Sequence, residues 1–334
     1  MSMKTPICPI CSSLENNLLF SLSSHEVATY LFPDKPKNAD EIRPIIERIF
    51  GEQHVNFLIC KNCSFGFADP FKAGTPEFYS TLYYSDFNYP TQKWEYSKTL
   101  QVLRVSSNNR PEYKLLEIGA GNGSFLSYLV EQDILKKENI YSTEFSESAV
   151  STILSKGFNC TNKNIVQLKE EGKLPQFNTI CLFQVLEHLG DIDAVFQSIN
   201  ALSTPDTDLF FSVPNSKLRS FLDKQGVFYD IPPVHIGKYS FKSFQFLGRK
   251  YKWEVISCAY EPMSIKSKFR KFLFERYWNN HYAINFERSR NVFYKRFLRY
   301  TLMSWIILRY IFVFFRLIRS DAGTSFWIHL KKAK

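Results

Sequence analysis

The sequence predicts an α/β fold, a doubly wound and mostly parallel sheet that carries a small cysteine-rich module at its N-terminus. Three observations predict it. From Lys114 onward, apolar runs of strand length alternate with amphipathic stretches of helix length, the pattern of a parallel sheet with crossover helices. The first of these runs empties into a glycine-rich turn, Gly119-Ala-Gly-Asn-Gly123, just ahead of a helix. Upstream, four cysteines pair as Cys8-x-x-Cys11 and Cys60-x-x-Cys63.

At 334 residues the chain can hold one large domain with an appendage, or two modest domains. Hydrophobic content of 45% beside 22% charged residues excludes a disordered chain. Residues 1–10 contain neither a long apolar run nor a cleavage-type cluster of small residues, so the cytoplasm is the expected compartment. The formal net charge of +10 would fit a nucleic-acid binder, but its distribution does not. Residues 263–320 hold 13 Lys and Arg against only Glu275 and Glu287, which leaves the remainder close to neutral.

Each CxxC pair can present two thiolates from one tight turn, and two such turns make the tetrahedral sulfur cage that zinc prefers. Cys8, Cys11, Cys60 and Cys63 are therefore expected to hold a structural zinc ion, with a metal-free relic as the alternative and disulfides last in a reducing cytosol. The long stretch between the pairs must loop out as an inserted subdomain. His25 and His54 are alternative ligands with no specific spacing. Residues 71–110 read as a Tyr-rich connector or cap, with Phe78, Tyr79, Tyr83, Tyr84, Tyr89 and Tyr96. Strands are then expected at Lys114–Ile118, Ile140–Thr143, Asn178–Phe183, Thr207–Val213, Trp253–Tyr260 and Ser325–Leu330. Helices are expected at Ser124–Gln132, Glu147–Lys156 and Asp191–Leu202. The expected organisation is a cysteine module over 1–70, the connector over 71–110, the main domain over 111–262 plus 321–334, and a basic aromatic insertion over 263–320.

Such a sheet binds its ligand at the carboxyl ends of the strands. Glycines at 119, 121 and 123 allow a tight turn and close approach of a ligand to the main chain. A lone glycine turn is weak evidence, because dinucleotide enzymes use one too. Here the spacing is GxGxG, Ser124 stands where the dinucleotide pattern wants its third glycine, and Glu117 precedes the turn by two residues. Glu144 ends the second strand, at the offset where a carboxylate would accept both hydroxyls of a ribose. A solvated loop acid is the alternative reading of Glu144. The fourth strand then runs into Phe183-Gln-Val-Leu-Glu-His-Leu189.

Taken together, these three segments resemble the class I methyltransferase family, whose fold is Rossmann-like and whose cofactor is S-adenosylmethionine. The resemblance implies that Glu117, Gly119, Gly121 and Asn122 line the methionine end of the cofactor. Glu144 would hold the ribose and Phe183 and Gln184 would flank the sulfonium, with Ala120, Gly123 and Phe145 completing the cofactor-binding set. Asn162 or Asn164 would meet the adenine. The cysteine module, with Cys60-Lys-Asn-Cys-Ser-Phe-Gly-Phe-Ala-Asp-Pro70, and Ile231-Pro-Pro-Val-His-Ile-Gly-Lys-Tyr-Ser240 are similar to one branch of that family. Bacterial members of the branch often act on sugars, polysaccharides and related cell-surface intermediates.

A hydroxyl acceptor would need a base of near-neutral pKa, for which histidine is the natural choice. His235, inside the matched motif, is the first candidate and His188, at the end of strand four, the second. Each also fits a buried ring satisfied by a backbone carbonyl. The branch resembled here carries two adjacent histidines, or Glu-His in its sugar C-methyltransferases, where this chain has Val234-His235, which favours transfer to oxygen over transfer to carbon. Within 263–320, Arg309 and Arg316 interrupt an apolar run that would otherwise span a bilayer. The pattern suits a helix lying on an anionic membrane surface, with a core-packing helix pair, a homodimer interface or RNA binding as alternatives. The expected acceptor is a glycan or lipid-linked saccharide at the cytoplasmic membrane face. A nucleic-acid methyltransferase and a non-catalytic cofactor-binding scaffold are the other readings. FQVLEHL lacks the Asn/Asp-Pro-Pro-aromatic signature of exocyclic-amine methylators.

Overall fold

The computed structural model describes residues 6–33, 35–51, 54–82, 92–223, 228, 230–264, 267, 304 and 323–333. Tyr83, Tyr84, Tyr89 and nearly all of the 263–320 segment lie outside the described residues.

The N-terminal part is built on β1 (Asn16–Ser23), α1 (Ser24–Leu31), α2 (Pro36–Phe50), β2 (His54–Cys60) and β3 (Gly66–Asp69). Local signals set the helix ends. Ser23 and Glu26 form a reciprocal capping box at the start of α1, and Gly51 closes α2 in the left-handed region at φ 71°. Ile42, Ile45, Ile46 and Ile49 give α2 one apolar face, which packs on Phe20, Val55 and Phe57 of the strands. The two helices fill the long interval between the CxxC pairs, as the looped-out subdomain expected there.

Two helices, α3 (Pro76–Leu82) and α4 (Trp94–Ser106), lead into the main sheet. The sheet strands are β4 (Leu115–Ile118), β5 (Ile140–Thr143), β6 (Asn159–Thr161), β7 (Phe177–Phe183), β8 (Ser203–Pro214), β10 (Trp253–Tyr260) and β11 (Ser325–Lys332). Their spatial order is β10-β11-β8-β7-β4-β5-β6. From β8 to β6 neighbouring strands are parallel, while β11 runs antiparallel to both β8 and β10. This is the class I methyltransferase Rossmann-like α/β fold expected from the sequence. All seven residues of β7 are buried, which is why its sequence reads as a continuous apolar run and not an alternation. The helices α5 (Ser124–Glu131), α6 (Glu147–Ser155), α7 (Ile165–Glu171), α8 (Ile192–Leu202) and α10 (Phe241–Tyr251) accompany the strands, and α9 (Ser216–Asp223) follows β8.

Two features position the site. The chain leaves β4 toward β5 on one side and returns to β7 on the other, opening a crevice at the carboxyl end of β4. In addition, β9 (Gly237–Lys238), from the 231–240 motif, pairs antiparallel with β3, through Gly66↔Lys238 and Phe67↔Gly237. The 231–240 motif thus supplies the fourth strand of the N-terminal sheet. Cys8, Ile10, Cys63, Phe65 and Phe67 share one buried cluster with Leu186, Tyr239 and Phe244 of the main domain. The cysteine module is fastened to the sheet by its core, and removing it would expose that apolar surface to water. Among the described residues, no helix is long and apolar enough to cross a membrane.

Candidate active site at the carboxyl ends of the strands

The glycine turn has the geometry that its sequence requires. Gly119, Gly121 and Gly123 all lie at positive φ, 71°, 56° and 74°. At Gly119 a second constraint applies, since an added Cβ would stand 2.5 Å from Val185 Cγ2. Side chains are excluded there on two counts. The amides of Gly119 and Ala120 both donate to Thr143 O, at 2.9 and 3.0 Å, locking the turn against the end of β5.

Glu144 lies directly across from this turn. Its Oε2 accepts from Gly121 N at 2.7 Å, and its Oε1 accepts from Phe145 N at 2.8 Å and Ser146 N at 3.0 Å. Three amides thus fix the carboxylate where sequence spacing placed it, with acceptor capacity to spare. Phe145 beside it is 66% exposed, and Asn122 Oδ1 turns inward to accept from Ser124 Oγ at 2.5 Å. Asn164 caps α7 by accepting from Gln167 N at 2.9 Å, whereas Asn162 caps no helix among the described residues.

Glu117 is 1% exposed, and its Oε2 has no hydrogen-bond partner among the described residues. Burial pushes its pKa well above the usual carboxylate range; nearby Lys93 pulls it down and Glu144 adds to the rise. Such an orphaned buried carboxylate calls for a cationic partner. Lys93, Glu95 and Tyr96 come from the start of α4, inside the stretch read as a connector. Tyr96 packs against Phe125 and Phe183, with ring centroids 5.0 and 5.4 Å apart, and Trp327 Nε1 donates to Thr99 Oγ1 at 2.9 Å. Sequence reasoning missed Lys93 and Glu95 as site neighbours. The helical spacing of Tyr96, Leu100 and Leu103 was the signal for α4. Gln184, at φ 59°, is anchored to Ser212 by Gln184 N to Ser212 O at 2.7 Å and by Nε2 to Oγ at 2.9 Å.

The two candidate bases meet. His188, just after β7, and His235, before β9, have ring centroids 4.5 Å apart at an interplanar angle of 81°. His188 Nδ1 lies 2.6 Å from Val234 O, and since a carbonyl only accepts, the ring proton sits on Nδ1. Burial, then the neighbouring His235, lowers the His188 pKa to about 3, so this ring is neutral at physiological pH. His235 Nδ1 lies 3.2 Å from Asp230 Oδ1, and Arg219 Nε lies 2.5 Å from Asp230 Oδ2. Burial alone would raise the Asp230 pKa; His235 and Arg219 outweigh it and hold the carboxyl far below its usual range. Glu187 completes the group. It is fully buried, and burial raises its pKa to about 7 against the opposing pull of His235. The loop has one histidine, as read from the sequence, but its partners Asp230, His188 and Glu187 arrive from outside the adjacent position.

The four cysteines also converge, with one sulfur from each within 4.8 Å of the others. Cys8 Sγ lies 3.5 Å from Cys63 Sγ, and Cys11 Sγ lies 3.5 Å from Cys60 Sγ. A tetrahedral zinc with Zn–S near 2.3 Å implies sulfur separations of about 3.8 Å. The two turns are near copies: Ser12 N donates to Cys8 O at 2.9 Å and Ser64 N to Cys60 O at 3.0 Å, with both serines at φ close to 60°. A hydrogen bond from Cys63 pulls the Cys8 thiol down to about 5 and keeps the proton on Cys63. His25 and His54 are not part of this cluster.

Residues 93–258 match the family model described as a methyltransferase domain. The match starts at Lys93, so it takes in α4 as well as strands β4 to β8 and most of β10. Among solved structures, the chain is similar to a SAM-dependent methyltransferase from Archaeoglobus fulgidus, at 13% identity and TM-score 0.43, covering 71% of this chain and 92% of that one. It is also similar to the N-methyltransferase NodS from Bradyrhizobium japonicum, at 11% identity and TM-score 0.40, covering 72% and 97%. A third is the plantazolicin methyltransferase BamL, at 13% identity and TM-score 0.43, covering 72% and 85%. No curated protein matches the chain. The family match and the fold define an enzyme class: the chain carries a methyltransferase domain over residues 93–258.

Proposed function

We propose that the protein methylates a hydroxyl of a sugar, polysaccharide or lipid-linked saccharide, with His235 as the residue through which the acceptor loses its proton. The observation that carries this reading is the Asp230–His235 pair, set beside His188 just beyond the end of β7. A carboxylate beside Nδ1 favours the tautomer whose Nε2 bears the lone pair, and it balances the imidazolium that forms. The saccharide class is supported by the 231–240 motif and the cysteine module, which occur together in the sequence and share one sheet through β9.

The cofactor pocket fits S-adenosylmethionine on its own residues. Orphaned Glu117 would take the methionine ammonium, and the backbone from Gly119 through Ala120, Gly121 and Asn122 to Gly123 would wrap the carboxylate end. Glu144 would accept from the ribose hydroxyls, exposed Phe145 would cover the adenine, and Phe183 and Gln184 would flank the sulfonium. When bound, the cofactor supplies an electrophilic methyl whose leaving group, a neutral thioether, needs no acid. The protein's work is alignment, water exclusion and removal of the acceptor's proton. The four cysteines would hold a structural zinc ion, and the basic 263–320 segment would draw the enzyme to an anionic membrane face, where saccharide-lipids reside.

The test is incubation with methyl-labelled cofactor and fractionated cell extract. Label is expected in glycan or saccharide-lipid fractions with wild-type protein, and to disappear with His235→Ala while cofactor binding persists. Label entering RNA or protein instead would overturn the acceptor class.

A further inference from the structure

Three side chains converge just beyond the end of β7. Glu187, His188 and His235 each offer one ligand atom, and these atoms all lie within 4.8 Å of one another. Glu187 is 0% exposed, and neither of its carboxylate oxygens has a hydrogen-bond partner among the described residues. Folded proteins rarely leave two such acceptors bare, and a missing ion is one of the few physical reasons for it.

The histidines are arranged as ligands usually are. The Nδ1 of His188 faces a backbone carbonyl at 2.6 Å, and that of His235 faces a carboxylate oxygen at 3.2 Å. A carbonyl only accepts, so His188 carries its proton on Nδ1 and keeps a lone pair on Nε2, and the Asp230 carboxylate beside His235 Nδ1 favours the same tautomer there. Carbonyls and carboxylates in this outer position fix the tautomer and orientation of metal-bound imidazoles.

We propose that Glu187, His188 and His235 form a divalent-cation site, held by two imidazoles and one carboxylate and separate from the four-cysteine cluster. A sulfur-free N,N,O donor set suits zinc, iron(II) and similar borderline ions. Three protein ligands leave a position open, as in reactive centres, whereas a four-thiolate site is closed. The His235 side chain is 16% exposed, which gives that open position a route to the crevice. One consequence rests on the acceptor reading above. An acceptor hydroxyl bound at the open position would be acidified by the cation and would release its proton to solvent water, with His235 holding the cation in place of taking the proton itself.

The experiment is cobalt(II) titration of the chelator-treated full chain, followed optically. Cobalt on thiolates shows intense sulfur-to-metal charge-transfer bands, and cobalt on imidazole and carboxylate does not. Wild-type protein is expected to bind one equivalent without thiolate bands, in addition to any held by the cysteines. Glu187→Gln and His235→Asn are each expected to lose that equivalent. S-adenosylmethionine calorimetry on the same samples reports that each variant is folded, and it tests the cofactor reading separately. The proposal is overturned if all bound cobalt is thiolate-bound, or if both folded variants retain the thiolate-free equivalent.

Discussion

Replacing Asp230 by asparagine should damage both the fold and the chemistry, because the carboxylate faces the Arg219 guanidinium and the His235 ring at once. Its Oδ2 meets Arg219 Nε at 2.5 Å and its Oδ1 meets His235 Nδ1 at 3.2 Å, with side-chain exposures of 15%, 10% and 16% for Arg219, Asp230 and His235. An amide has one oxygen. If it accepts from His235, its NH2 faces the guanidinium; if it accepts from Arg219, its NH2 donates to Nδ1 and moves the ring proton to Nε2. Either orientation leaves one partner unmatched. Breaking a buried pair by removing one charge costs roughly 3–5 kcal/mol. In the second orientation His235 is no longer a base, a loss of roughly 10²- to 10⁴-fold in rate. The pH dependence has a fixed sign. Since the folded-state pKa is depressed, Asp230 stabilises the fold above the unfolded value near 3.9, and that stability is lost as pH falls through the folded pKa. Urea unfolding of wild type and Asp230→Asn should therefore differ at pH 7 and converge in strong acid. Label transfer should fall in parallel. A variant within about 1 kcal/mol of wild type at pH 7, with transfer within about threefold, would refute the reasoning.

Gly119→Ala places a methyl group 2.5 Å from Val185 Cγ2 at φ 71°, so conformational strain of about 1–3 kcal/mol adds to overpacking of about 1–3 kcal/mol. Thermal unfolding should show the loss, and an unchanged melting curve would mean that the turn relaxes freely. Cys63→Ser, at a wholly buried sulfur, should abolish zinc binding by the module and lower the unfolding midpoint. Elemental analysis showing the same zinc content as wild type would contradict the four-thiolate reading. Flotation with anionic liposomes should carry the full chain upward but not a chain lacking 263–320. Equal behaviour of the two would remove the membrane role.

Much of the fold was legible because burial imposes periodicity. β4, β5, β7, β10 and β11 begin within a residue of their expected starts, since each is an apolar run ended by a turn. β8 starts earlier than expected, at Ser203, because Thr204 to Asp206 carry no apolar signal. The placement of Glu144 opposite the turn of Gly119 and Gly121 was readable for the same reason: it depends on strand and turn signals a few positions apart. What was illegible depends on distant pairing. Nothing local in Gly237-Lys238 shows that it joins β3, and nothing local in Glu187 shows that its carboxylate turns inward toward two histidines. Lys93 and Glu95 sit in a stretch whose tyrosines drew attention away from its helical spacing. The two-histidine arrangement that Val234 removes from the loop is restored through space by His188, which a linear reading of the motif has no means to foresee.

The account depends most on Glu144 and the glycine turn gripping an adenosyl sulfonium. Isothermal calorimetry with S-adenosylmethionine tests this directly, comparing wild type with Glu144→Ala. Two charge-assisted hydrogen bonds to the ribose, each worth about 1.5–3 kcal/mol, predict saturable binding by wild type and a loss of about 10²- to 10⁴-fold in the variant. No binding by wild type, or equal affinity in both proteins, would contradict the account at its base.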